Sequence, residues 1–401
     1  MRIIFFAGKG GVGKTSVAAA TGIKAAQMGH RTVIMSLDAA HSLSDIFDLS
    51  RDLLDHNKGA PIAVQANLWI QELDIQEAIQ NYWGEIHKYL TVLFQTTGMD
   101  EILAEEFAIL PGMEEVSLLL YINQYVQAKQ FDVIILDCAP TGESIRFISI
   151  PNTLEWYMQK IFKLERRAAK YLRPVAKRVY DLPLPDDDYF QAIEYLFERL
   201  RGVDGIIKDP RKTTIRLVTN PEKIVIKETQ RAFMYFCLYK MSIDGIIINR
   251  ILPDDVTDDY FHQWKADQRH YIDQAEQYFS PIPIFSVRLF QEEILGYERL
   301  GALAEHIYGD RNPLERFFEG EPYYWDKQNG AYRLRLKLPF IGKGDVQLHK
   351  HSDELIVRLG SFKRRILLPR NVAAAMPSRA KLEDQFLSVY FEGGDHEQKR
   401  R

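Results

Sequence analysis

Over most of the chain the apolar residues come in short unbroken runs, whereas near its end they alternate with charged ones. Ile3–Ala7, Arg31–Leu37, Val133–Leu136, Thr214–Thr219 and Gly245–Ile248 are such runs. A short apolar run without alternation reads as a strand buried on both faces, as in a parallel sheet. Residues Thr15–Met28 instead carry a helical period and stop at Gly29. Helical stretches alternate with the runs, which predicts an α/β fold with a parallel sheet covered on both faces. From Tyr332 onward the period becomes two. Tyr332, Leu334, Leu336 and Leu338 alternate with Arg333, Arg335 and Lys337, and the same holds for Leu355, Val357 and Leu359, and for Leu387, Val389 and Phe391. Short alternating strands of this kind predict a C-terminal β-sandwich.

Proline-marked breaks at 182–188 and 320–322 divide the pattern. The expected domains are residues 1–308, with a helical subdomain at about 75–130 and 154–210, and residues 321–395. A chain of 401 residues is in any case too long for one ordinary core. The net charge of −4 excludes a surface built throughout for nucleic acid or anionic membrane, so no nucleic-acid partner is expected. The only cysteines are Cys138 and Cys237, with no CxxC, which excludes a disulfide framework and a thiolate zinc site within one subunit. No zinc is expected, and a reducing compartment is. No apolar run is long enough to span a bilayer, and the first residues lack the basic flank of a signal peptide. The expectation is a cytoplasmic protein that is not transmembrane.

Between the first strand and the first helix stands Gly8-Lys9-Gly10-Gly11-Val12-Gly13-Lys14-Thr15, followed by Ser16. This fits G-x-x-x-x-G-K-[ST] completely, in the strand–turn–helix setting its mechanism needs. Glycines let successive N–H groups turn inward on phosphate oxygens, and the helix N-terminus adds positive potential. Lys14 is expected to reach the β- and γ-phosphates and the Thr15 hydroxyl to bind Mg²⁺. Asp38 and Asp137 follow the second and third strands, where carboxylates face the ligand crevice. Asp137 is placed to hold the magnesium shell through water, and Asp38 to orient an attacking water. A chain with these parts is an ATP hydrolase in expectation, with ATP and Mg²⁺ as its cofactors.

Lys9 makes the loop similar to the deviant phosphate loop of dimeric ATPases, in which the extra lysine crosses to the partner's nucleotide. Residues 37–45, Leu-Asp-Ala-Ala-His-Ser-Leu-Ser-Asp, resemble switch I of the family of the arsenite-pump ATPase ArsA and the guided-entry ATPase for tail-anchored membrane proteins. Residues 137–143, Asp-Cys-Ala-Pro-Thr-Gly-Glu, resemble its switch II. The resemblance implies switch roles for Asp38, His41, Asp137, Pro140 and Gly142, with Asp38 catalytic beside Lys9 and Lys14. Asn220-Pro221-Glu222 and Glu228-Thr229-Gln230-Arg231 match the strand and helix that border the adenine in that family, which implies nucleoside contacts from Glu222 and Asn249. With one phosphate loop, the implied assembly is a homodimer. Ala39, Cys138 and Glu143 replace a proline, a threonine and a histidine of the family pattern. The segment with Leu338-Pro339-Phe340 and Arg364–Pro369 resembles the α-crystallin domain of small heat-shock proteins.

Residues 154–180 are helical in pattern, with eight Lys or Arg among Trp156, Tyr157, Met158, Ile161, Phe162 and Leu164. The position matches the helices where targeting members of the family hold apolar clients. Met158, Ile161 and Phe162 are therefore read as client surface, against the plainer reading of a core stripe with a solvated face. The function implied is ATP-driven switching that controls binding or delivery of a hydrophobic client or a membrane-associated partner. The alternatives are a holding module with a regulatory ATPase, and an arsenite-pump subunit.

Overall fold

A computed structural model of the chain describes residues 1–36, 42–49, 59–73, 75–96, 99–110, 112–138, 141–179, 184–320, 323–328, 331–338, 346–352, 354–359, 362–368 and 370–392. Its contacts gather Met1–Lys212 with Phe290–Glu315 in one unit, and Thr213–Leu289 with Arg316–Arg401 in another. This division differs from the limits read off the sequence, because the C-terminal strands share a unit with part of the α/β region.

In the first unit the strand order is β3 (Ile62–Gln65), β4 (Leu68–Glu72), β2 (Thr32–Ser36), β5 (Val133–Asp137), β1 (Arg2–Ala7). All neighbours run parallel except β3 and β4. Strands β1, β2 and β5 are buried at every position, as their unbroken apolar runs require. Helix α1 (Lys14–Gln27) lies on this sheet and also packs on α10 (Gly296–Tyr308), where Thr21 and Tyr308 join hydroxyls at 2.7 Å. Helices α3 (Gly84–Gln95), α4 (Glu101–Phe107), α5 (Met113–Ala128), α6 (Thr141–Tyr157), α7 (Lys163–Val179) and α8 (Asp187–Leu200) also belong to this unit. A short helix, α2 (Ser42–Ile46), precedes them. A π-helical turn at Met158–Phe162 joins α6 to α7, an irregularity that often marks a functional segment.

In the second unit, β6 (Thr213–Thr219), β7 (Ile243–Ile251) and β8 (Ile284–Arg288) are parallel. Arg216 and Asp244 form a fully buried ion pair at 3.3 Å between β6 and β7. The Phe317 ring covers the guanidinium at 4.4 Å, which fastens the segment leading to the C-terminal strands. Those strands make two antiparallel sheets. One has the order β14 (Met376–Glu383), β15 (Phe386–Glu392), β10 (Ala331–Lys337), β9 (Tyr323–Gln328), and the other β11 (Val346–His351), β12 (Glu354–Leu359), β13 (Phe362–Leu367).

The alternating apolar set falls inside as its period requires. Leu334, Leu336, Leu338, Leu355, Val357, Leu359, Leu387, Val389 and Phe391 are all buried in one core. Met234 and Leu238 belong to that same core. Both lie on α9 (Lys223–Leu238), the helix after β6, so the sandwich is closed by a helix of the α/β region. Among the described residues no helix is long and apolar enough to cross a membrane.

Candidate nucleotide site

β1 ends at Ala7 and α1 begins at Lys14, so the whole glycine-rich loop is the connection between them. Gly11 and Gly13 take φ of 80° and 90°, a region that side chains disfavour. A Cβ on Gly11 would meet nothing within 4 Å, so backbone shape rather than crowding calls for glycine there. Gly13 caps α1 with no side-chain acceptor, and no acidic residue stands in the first turn. The positive end of the helix is thereby left for an anion. Val12 is buried and anchors the loop. Lys14 is buried as well, and its Nζ donates to the Lys9 carbonyl at 3.2 Å, which holds the ammonium against the loop. Thr15 and Ser16 follow in the first turn, half-buried, and Lys9 is half-buried in the loop.

Asp137 closes β5 and is buried. It is in register with Phe6 on β1 and Ser36 on β2, which puts its carboxylate on the edge from which the loop departs. Cys138 follows, its N–H donating to the Phe6 carbonyl at 3.0 Å. Burial, and next the charge of Asp137, push the Cys138 thiol well above its ordinary range. It stays protonated and is no ready soft ligand. Asp38, His41 and Pro140 lie outside the described residues, and Gly142 is in the first turn of α6.

Glu222 and Asn249 belong to the second unit. Glu222 is the exposed residue that caps α9, just beyond the carboxyl end of β6. Asn249 is buried near the carboxyl end of β7, with its Oδ1 accepting the Arg250 N–H at 2.9 Å. Asn220, between β6 and Glu222, has a buried Oδ1 with no hydrogen-bond partner among the described residues. A polar residue directly after a buried apolar strand is the sequence signal that marks it.

Of the residues read as client surface, Met158 and Ile161 are half-buried and Phe162 is 3% exposed. Phe162 packs with Ala169 and Phe190, its ring 5.7 Å from that of Phe190. The expectation for Phe162 is therefore corrected: it anchors the turn from within, because α8 supplies an aromatic partner for it. The exposed apolar side chains stand elsewhere. Ile102 and Phe107 on α4 are 74% and 56% exposed, and Leu164 and Tyr171 on α7 are 69% and 79%. Lys163, Arg167 and Lys170 are exposed on the same helix.

Comparison with known proteins agrees with this geometry. Residues 1–309 match the family described as anion-transporting ATPase, and residues 329–391 the HSP20-like domain found in ArsA. The chain is 48% identical over 394 residues to a protein of Aquifex aeolicus provisionally named arsenical pump-driving ATPase 1, with 97% of this chain and 100% of that one covered. A protein of Chlorobaculum tepidum, provisionally named arsenical pump-driving ATPase, is 36% identical over 98% of this chain and 96% of its own. The ATPase get3 of Sclerotinia sclerotiorum is 29% identical over 77% of this chain and 89% of its own.

Proposed function

Because this chain belongs to the ArsA family of anion-transporting ATPases and is an ATP hydrolase, we propose that it works as a magnesium-dependent homodimer. In this reading its ATP-driven switching controls the binding or delivery of a hydrophobic protein client in the cytoplasm. Lys14 and the loop N–H groups hold the β- and γ-phosphates, and Asp38 orients the attacking water. Lys9 reaches the partner's nucleotide, while Glu222 and Asn249 contact the nucleoside. The Thr15 hydroxyl and, through water, Asp137 would hold Mg²⁺, whose chemistry is to neutralise phosphate charge. A buried carboxylate at the sheet edge and a hydroxyl in the first turn of α1 are the oxygen donors such an ion takes.

One observation carries the client reading: α4 and α7 expose Ile102, Phe107, Leu164 and Tyr171, with cations beside the last two. Large apolar groups left in water invite a partner, and long cationic side chains beside them suit an apolar segment with polar flanks. The holding-module alternative is less well supported, since the inner faces of the β-sandwich are filled and shared with α9. The names of the Aquifex and Chlorobaculum relatives keep an arsenical-pump role as the second reading. Both cysteines here are buried, whereas a metalloid wants accessible soft thiolates.

The test is capture of a peptide bearing an apolar segment of about 20 residues, the length that spans a bilayer. Leu164→Asp with Tyr171→Asp is expected to reduce capture several-fold while ATP turnover and the thermal midpoint stay as they are. Undiminished capture by that double variant would count against the client reading.

A further inference from the structure

Strand β4 ends in two polar residues, Gln71 and Glu72, that are 2% and 7% exposed. Glu72 is in register with Ser36, the last residue of β2, and Ser36 with Asp137. The Glu72 carboxylate thus stands in the row of the sheet from which the chain leaves toward residues 37–41, the stretch that bears Asp38. On the far side of that stretch begins α2. Glu72 Oε1 accepts the N–H groups of Leu43 at 2.9 Å and Ser44 at 3.0 Å, both in the first turn of α2. Its neighbour Gln71 uses both ends of its amide. Gln71 Nε2 donates to the Gly59 carbonyl at 2.7 Å, and Gln71 Oε1 accepts the Tyr125 hydroxyl of α5 at 2.8 Å.

A buried carboxylate is costly unless N–H donors compensate it. Here two backbone donors at a helix start do so, and bonds of that kind to an ionised acceptor are the strong ones. The charge is therefore tied to one geometry. If α2 shifts, these two bonds are lost, so Glu72 resists displacement of Leu43 and Ser44. The two ends of segment 43–59 are in this way fastened to consecutive residues of one strand.

We propose that Glu72 is a positioning residue for ATP hydrolysis: it fixes the start of α2, the element into which the Asp38 segment leads, against the sheet row that ends in Asp137. Gln71 fastens the other end of the segment. Glu72 acts through backbone amides and touches no substrate. The inference rests on the reading of Asp38 as the residue that orients water.

The experiment uses the full chain and measures ATP turnover, ADP affinity, and amide exchange at Leu43 and Ser44. Glu72→Ala is expected to lower kcat by about 10–100-fold, the scale set by misplacing a reacting group by an ångström. ADP affinity should be unchanged, and the amides of Leu43 and Ser44 should exchange faster. Glu72→Gln keeps an acceptor oxygen, so it should restore most of the turnover and the protection. Wild-type kcat in folded Glu72→Ala, a fall in ADP affinity matching the fall in kcat, or no rescue by Glu72→Gln would each overturn the proposal. Should Glu72→Ala not fold, Glu72→Asp withdraws the carboxylate by one methylene; reduced kcat with intact ADP affinity supports the proposal, and wild-type kcat overturns it. Asp38→Asn separates the two readings. If it turns over ATP normally, the water-orienting role of Asp38 fails; if it is inactive while Glu72→Ala is not, this inference alone fails.

Discussion

Lys14→Ala is expected to lower ATP turnover by about 10²–10³-fold, the usual loss when one preorganised charge contact to a transition state is removed. Lys14 is buried and bonded to the Lys9 carbonyl across the loop, which holds its ammonium in place. Phosphoryl transfer leaves little for the protein beyond positioning and charge. Removing the cation therefore strikes both nucleotide affinity and rate. The fold should survive, because the loop keeps Val12 as its anchor and the helix start keeps Gly13. Phosphate release, with a thermal melt as control, is the measurement. Turnover close to wild type in a folded Lys14→Ala protein would remove the assignment of this loop to ATP.

Deleting residues 321–401 is expected to damage the α/β region as well. Met234 and Leu238 of α9 are buried in the core of the sandwich, with Tyr235 and Tyr239 packed beside them. Uncovering the first two costs about 1.5–3 kcal/mol each. For a unit of this size the melting midpoint should fall by about 5–15 °C. The truncated protein should also bind an apolar dye and aggregate on warming. Removal of residues 393–401 alone serves as the control and should change neither. An unchanged midpoint and no dye binding after the larger deletion would mean that α9 does not need the sandwich as cover.

The strands of the α/β region were legible because β1, β2 and β5 are buried on both faces and hence apolar throughout. The C-terminal strands were legible for the opposite reason: their charged positions face away from the core, so the alternation survives in the sequence. Strand β4 was not read, because it ends in Gln71 and Glu72, and polarity in a sequence says nothing about burial when the partners are backbone groups and the Tyr125 hydroxyl some distance along the chain. Phe162 was misplaced for a related reason. Its helix shows an amphipathic pattern, and only the fold reveals that Phe190 covers it while Leu164 and Tyr171 remain exposed. The shared core of α9 and the sandwich was equally hidden, since Met234 and Leu238 look like ordinary inward residues of a helix. The glycine-rich loop, by contrast, is local: its glycines, Lys14 and Thr15 lie together where β1 passes into α1, so sequence alone brings them together.

In the proposed reading ATP, sensed by a dimer through Lys9, changes the surface offered by the π-helical turn and α7. Amide exchange across residues 158–172 tests it most directly, measured in the Asp38→Asn protein without nucleotide and with ATP and Mg²⁺, and again with Lys9→Ala added. The expected result is a clear change in protection on adding ATP and Mg²⁺. That change should be lost when Lys9 is replaced, although Lys14 still allows nucleotide to bind. Equal protection of residues 158–172 with and without ATP and Mg²⁺, at nucleotide concentrations shown to saturate the site, would contradict the account.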